Sequence, residues 1–411
     1  MKTVIFYIVL LVWSASSVCY ANDAADLQQR VSNLEAELAK LKAQAVLTRV
    51  DGGLRAQSAN GSSKFRFAGR VQADYAFYDK DKADLGSGSE LRTLRMGSRG
   101  TLAKNWDYKM EADFTTGGTV RVTEGYVAYT GMQNAIVQVG NIFEMYGLEE
   151  YSSSVDTTFM ERSVAIDAFV PDYNQGIAYI RWGDAYSFSA GLYGDSTNNA
   201  ASAVNESAGT SARLVFAPLH SSGDVLSLGA SAYVRDVTSD TWRVRARPNS
   251  HVTPIRLVDT GNVSDVSTAI AVALEASMTK GPFSVQAEYN QQMLNRNKGT
   301  KDAEFKCWYI YGSYILTGES RAWDMPSATY SRPSPKNAGG AWEVALRFDQ
   351  LDLDDTGAGI KGGEMKTATL GLNWYPVNNV RFSTNLIQVN SEKAGVEDNP
   401  NIIQMRAQVA F

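Results

Sequence analysis

From Lys64 onward, apolar residues recur at every second position in run after run. In KFRFAGRVQADYAFYD, Phe65, Phe67, Val71, Ala73, Tyr75 and Phe77 hold the odd positions, while Arg66, Arg70, Gln72 and Asp74 share the even ones. Side chains of a β-strand point alternately to its two faces, so each such run is a two-faced strand. Asp107, Lys109, Glu111 and Asp113 oppose Trp106, Tyr108, Met110, Ala112 and Phe114 in the same way. Glu343, Arg347 and Asp349 oppose Trp342, Val344, Leu346 and Phe348, and Gln404, Arg406 and Gln408 oppose Ile403, Met405, Ala407, Val409 and Phe411. The region 64–411 is therefore all-β.

A soluble sandwich alternates too. Three features favour a transmembrane antiparallel β-barrel. The runs approach the length of a membrane strand and carry aromatics near their ends. Their polar faces bear full charges strand after strand, which suits a wet lumen. The sequence closes on a strand at Phe411, which resembles bacterial outer-membrane barrels. At roughly 20 to 23 residues per strand with its turn or loop, about 16 strands are expected, and the same alternation would serve 14 or 18.

The segment before the barrel is of another kind. Lys2, the apolar run Val4–Trp13 and the small Ala21 read as a signal peptide over residues 1–21. Cys19 falls before that cleavage point and Val18 makes a poor lipobox, so the exported chain keeps Cys307 alone and no internal disulfide. Within residues 22–47, Leu27, Val31, Leu34, Leu38, Leu41 and Ala45 form a heptad seam, read as a short N-terminal coiled-coil helix. Residues 48–63, rich in Gly and Ser, read as a linker. After the signal, no run approaches the ~18 apolar residues of a membrane helix. A formal net charge of −5 gives no reason to expect a nucleic-acid partner.

Charge is concentrated locally. In WRVRARPNSHVTPIR, Arg243, Arg245 and Arg247 alternate with Trp242, Val244 and Ala246, which on a strand places three guanidiniums roughly 7 Å apart on one face. Such a row repels itself unless water, carboxylates or a passing anion neutralises it, and a lumen supplies all three. The planar fork of Arg also suits phosphate better than Lys does. Arg66 and Arg70 on the first strand and Arg95 and Arg99 on the second share lumen parity. Arg92 breaks that parity and is placed near the strand start, and Arg256 lies beyond the turn at Pro254. For each arginine, pairing with a neighbouring carboxylate is the plain alternative to anion binding.

ELRTLRMGSRGTLAKNWDYKMEADF, VGNIFEMYGLEEYSSSVDTTFMERS, RVRARPNSHVTPIRLVDTGN, YILTGESRAW and GGAWEVALRFDQLDL resemble blocks of the phosphate-selective porin O and P family, in order and over nearly all of residues 64–411. The resemblance implies a 16-stranded trimeric outer-membrane barrel that passes small anions such as phosphate. It implies an inward-folded loop over about 141–176, a ladder of lumen arginines that includes Arg243, Arg245 and Arg247, and a periplasmic three-stranded helix from the heptads. Its surroundings would be outer-membrane lipid, with no cofactor. Family members selective for phosphate carry lysine on the inward loop and paired arginines on the second strand. Here that loop offers Arg162 as its one basic residue, beside Glu144, Glu149, Glu150, Asp156, Glu161, Asp167 and Asp172, and Thr93 stands where a second adjacent arginine is expected. A general or mixed-selectivity porin fits these departures equally well.

Other motifs carry less. GAGIKG at Gly357–Gly362 spells a dinucleotide fingerprint but precedes a strand rather than a helix. Asp352, Asp354, Thr356 and Gly357 resemble the front of a calcium loop, yet its twelfth position is Gly363 instead of a glutamate. A barrel enzyme would need a base among His220 and His251, and Ser196 lacks a nucleophile frame. His251, inside the arginine-rich stretch, could add a pH-dependent charge. An envelope anchor is the third reading. Conductance of the purified protein in a planar bilayer separates the three.

Overall fold

In a computed structural model, the described residues are 25–40, 46–49, 53–116, 118–196, 206–221, 223–297 and 299–411. The expected signal peptide lies outside them. Sixteen strands close into one antiparallel barrel. They are β1 Lys64–Asp79, β2 Gly88–Thr101, β3 Trp106–Thr116, β4 Thr119–Met132, β5 Ala135–Phe143, β6 Tyr173–Trp182, β7 Tyr186–Tyr193 and β8 Gly209–Ser221. The second half comprises β9 Asp224–Asp236, β10 Val266–Lys280, β11 Phe283–Arg296, β12 Ala303–Ile315, β13 Ala341–Asp355, β14 Ile360–Val377, β15 Val380–Lys393 and β16 Asn401–Ala410. Each strand pairs with its sequence neighbour, and β16 closes on β1 from Asn401 opposite Asp79 to Ala410 opposite Arg70. Closure leaves no unpaired edge, which a bilayer demands.

The alternation sorts the two faces as expected. Tyr75, Phe77, Leu346, Phe348, Ile403 and Met405 are exposed on the outside, while Gln72, Asp74, Arg347, Asp349, Gln404 and Arg406 are buried inside. At one end the strands are joined by short connections such as 133–134, 281–282 and 378–379. There Trp342, Trp374 and Phe382 stack outside the wall at 5.5 Å intervals, an aromatic girdle of the kind membrane barrels carry. Longer connections, 144–172 and 237–265, leave the opposite end.

Three connections fill part of the lumen. Residues 144–172, inside the span expected to fold inward, carry a helical turn, Leu148–Tyr151, and a short helix, Val164–Phe169, started by Ser163, whose side chain accepts from Ile166 N. Residues 237–265 fold over that helix. Val244, Ala246, Leu257, Val258 and Val263 join Val164, Ala165 and Phe169 in one buried cluster with Leu294, Phe305, Leu351 and Met365 of the wall. Residues 316–340 enter from the short-turn end. Arg213 on β8 donates to the carbonyls of Ser327 and Ala328 at 2.7 and 2.9 Å.

Three expectations need correction or refinement. Trp242–Ala246 is not a wall strand, because it lies in the 237–265 connection and makes only two-residue ladders, Thr241–Trp242 with Val263–Ser264 and Arg245–Ala246 with Val258–Asp259. Across the boundary drawn between the 22–47 segment and the 48–63 linker, Val46–Arg49 pairs with Arg55–Ser58, which continues onto the start of β1. Arg92 sits at a bulge, where Gln72 opposes Thr93 and Ala73 opposes Leu91, so its broken parity marks one extra residue rather than a strand end. Ahead of the barrel, residues 25–40 form a helix, with Leu27, Val31, Leu34 and Leu38 all exposed. Leu41 and Ala45 lie outside the described residues.

Candidate functional site

The inward loop leans on one half of the wall. Glu288 on β11 accepts from the backbone N–H groups of Leu148 and Glu149 at 3.0 and 2.7 Å, which holds the helical turn at its N-terminus. Arg347 on β13 donates to the Glu161 carbonyl at 3.0 Å and lies 4.5 Å from the Phe159 ring centre. Asn373 on β14 donates to the Thr158 carbonyl, and Asn385 on β15 accepts from Met160 N. From the short-turn end, Arg321 donates to Thr158 Oγ1 at 3.0 Å and to the Asp156 carbonyl at 2.8 Å. Two connections entering from opposite mouths thus meet, and a cavity beside them is walled by β1–β3.

That wall carries the cations. Arg92 grips Glu161 through two bonds of 3.0 and 3.1 Å. Arg95 donates to Asp113 at 2.9 Å and to the Tyr173 hydroxyl at 2.9 Å. Arg70 donates to Glu111 at 3.2 Å and to Ser154 Oγ at 3.1 Å. Lys109 pairs with Glu124, and Arg121 with Asp172. Nearer the short-turn mouth, Arg55, Arg66, Arg99 and Lys109 stand opposite one another in a single cross-strand row. Like charges in register repel, and Nε of Arg66 is buried without a partner. Beside this row lies a cavity of about 500 Å³, lined by Arg66, Arg70, Arg99, Lys109 and Arg332 with Glu111 and Asp156.

In several of the pairs on and beside this wall, the cation is the more exposed partner. Side-chain exposure is 28% for Arg92 against 15% for Glu161, and 25% for Arg162 against 4% for Glu150. The pairs of Arg70, Arg95 and Lys109 are ordered in the same sense, whereas Arg121–Asp172, Arg332–Asp156 and Arg406–Glu161 are reversed. Burial would raise the Glu161 carboxyl, but Arg92 and Arg406 outweigh it and hold that group well below the usual carboxylate range. Burial pushes the Glu150 carboxyl up to about 7, against the pull of Arg162 at 3.1 Å. Glu144, paired with Arg235 and bonded to Asn174, is likewise raised to about 7 by burial.

The sequence-expected residues are split. Arg66, Arg70, Arg92, Arg95 and Arg99 gather on the β1–β2 wall with Glu161 and Arg162 of the inward loop opposite. Arg243 is exposed and donates to Asp259 at 2.8 Å, Arg245 is exposed, and Arg256 donates to the Pro254 carbonyl. Arg247 alone of that row faces the inward loop, beside Glu161, Arg162, Asp167 and His251, with its Nε on the Thr253 carbonyl. The row does alternate, yet its apolar side seals against the inward loop rather than against lipid. His251 sits 2.8 Å from Glu90. Arg121, Arg235 and Arg332 were not foreseen. Arg121 lies next to a register shift in the β3–β4 pairing, and Arg332 lies in a connection without strand periodicity. No cluster of His, Cys, Asp and Glu able to hold a metal exists among the described residues.

Residues 65–411 match the family model described as phosphate-selective porin O and P. The chain belongs to this family. It is 28% identical over 388 residues to Porin O of Pseudomonas aeruginosa, covering 85% of this chain and 88% of that one. It is 30% identical to an uncharacterized protein of Caulobacter vibrioides, over 80% of this chain and 69% of that one. Among solved structures, the anion-selective porin from Comamonas acidovorans shares the fold at a TM-score of 0.54 and 15% identity, over 85% of this chain and all of that one. The outer membrane channel DcaP of Acinetobacter baumannii does so at 0.53 and 13%, over 85% of this chain and 98% of that one. This porin is an outer-membrane channel and not a barrel enzyme.

Proposed function

We propose that this porin conducts small anions in preference to cations along the β1–β4 wall, with phosphate among them and no strict selectivity for it. The observation that carries the reading is the gathering of Arg66, Arg70, Arg99, Lys109 and Arg332 around one cavity, where cationic side chains outnumber the acidic Glu111 and Asp156. In a narrow lumen of effective dielectric near 20, a charge pair at 4 Å is worth about 4 kcal/mol, against about 1 kcal/mol in bulk water. Neighbouring cations let an anion pass from one partner to the next without being trapped. Membership beside Porin O and the fold shared with an anion-selective porin point the same way.

The reversal potential of the purified porin in a KCl gradient is expected to report anion preference. A cation-preferring value would refute the reading, and a value near zero would favour a mixed-selectivity pore. Protonation of Glu150 and Glu144 between about pH 8 and pH 6 removes negative charge beside Arg162 and Arg235, so anion preference is expected to rise as pH falls. Glu150→Gln should flatten that dependence.

The N-terminal helix is assigned to assembly. Leu27, Val31, Leu34 and Leu38 form an uncovered apolar seam, and so short a helix is marginal alone in water. Three copies, brought together beneath a trimer of barrels on the periplasmic side, would cover it. Deleting residues 25–40 is expected to lower the temperature at which trimers dissociate, and trimers of unchanged heat resistance would reject the assignment.

A further inference from the structure

The lumen wall is not polar throughout. Where β1–β3 turn charges inward, the wall of β5–β7 carries a buried apolar cluster, Ile142, Ala178, Ile180 and Tyr193, packed with Met145 of the inward loop. At the edge of this patch three half-buried rings stand together. Phe143 meets Tyr173 edge-on at 4.7 Å between ring centres, and stacks on Tyr151 at 6.3 Å. The ring of Tyr173 lies between two guanidiniums, Arg95 at 5.7 Å and Arg121 at 5.8 Å from its centre. Three half-buried rings and two cations therefore adjoin at this ledge.

We propose that this ledge is a recognition site for organic oxyanions that carry a flat apolar group, such as aryl phosphates and aryl carboxylates. The inference rests on the anion-conducting reading and narrows its substrate class. A hydrated inorganic anion gains nothing from carbon surface. An aryl oxyanion makes two contacts at once: its charged end sits on Arg95 and Arg121, and its ring lies against Phe143, Tyr151 and Tyr173, in the offset or edge-on geometries that aromatic quadrupoles favour. A charge row alone would treat phosphate and phenyl phosphate alike. The juxtaposition of rings with arginines separates them.

The test is block of chloride current through the full-length purified porin in planar bilayers. Phenyl phosphate is compared with inorganic phosphate, and benzoate with acetate, each pair at one pH. Phenyl phosphate is expected to half-block at a concentration about fivefold or more below that of phosphate, and benzoate likewise relative to acetate. Tyr173→Phe keeps the ring and loses the hydroxyl that accepts from Arg95, so the ratio should persist. Phe143→Leu with Tyr151→Leu should bring it close to one while chloride preference in a salt gradient stays as in the parent. Equal block by the aryl and inorganic anions in the unmodified porin overturns the proposal, whether or not the variants fold. A ratio that survives in the folded double variant overturns it as well. A cation-preferring reversal potential instead rejects the underlying pore reading, so the two failures are distinct.

Discussion

Arg406→Met is expected to lower the barrel's unfolding free energy by about 3–5 kcal/mol, the range for removing one partner of a buried charge pair. Arg406 lies on the last strand, almost wholly buried, and donates to both oxygens of Asp74 on the first strand at 2.7 and 2.6 Å. It also donates to Glu161 at 2.6 Å, and Glu161 is gripped in turn by Arg92. One guanidinium therefore ties the seam of the barrel to the inward loop. Without it, Asp74 is a buried carboxylate with no counter-charge. Replacing Asp74 by Leu in the same variant removes that charge, and most of the lost stability should return. The penalty holds through neutral pH. Glu161 is depressed in the folded porin, so its contribution is complete above the ordinary carboxylate value and fades only as pH falls towards the lower, folded one. Denaturant unfolding in detergent, followed by tryptophan fluorescence, measures the change. A loss below about 1 kcal/mol in the single variant would show that seam and loop do not depend on this network.

Much of this was legible in the chain. A period of two states which residues face inward, so the lumen positions of Arg66, Arg70, Arg95 and Arg99 could be read directly, and even the anomaly at Arg92 had a structural cause in a single bulge. Period alone does not name what lies on the far side. Val244 and Ala246 alternate with arginines as a membrane strand would, but they bury against Val164 and Phe169 of another loop. The partners that define the path are remote: Arg92 and Glu161 lie 69 residues apart, and Arg406 and Asp74 lie 332 apart. The first follows from the inward fold of the loop and the second from closure of the barrel. The 316–340 connection has no period at all, because its order comes from carbonyls held by Arg213 and Arg321.

Replacing Arg70, Arg92 and Arg95 together by Gln is expected to abolish anion preference and reverse it to cation preference, whereas Arg243, Arg245 and Arg247 replaced by Ala should leave the sign intact. The difference lies in what each change uncovers. In the first variant Glu111, Asp113 and Glu161 keep their places and lose the cations of β1 and β2, with Arg406 alone left on Glu161, so negative charge becomes the field that a passing ion meets. Gln retains hydrogen-bonding capacity towards those carboxylates, and lumen substitutions act on selectivity more than on the barrel itself. In the second variant two of the three side chains are exposed at the mouth, where salt screens a charge within about 8 Å at physiological ionic strength, and one of them is already neutralised by Asp259. Arg247 alone faces the inward loop. Reversal potentials of both variants in the same KCl gradient decide between the walls. If the mouth variant loses anion preference and the wall variant keeps it, ions are selected before they reach β1 and β2, and the path lies elsewhere in the lumen.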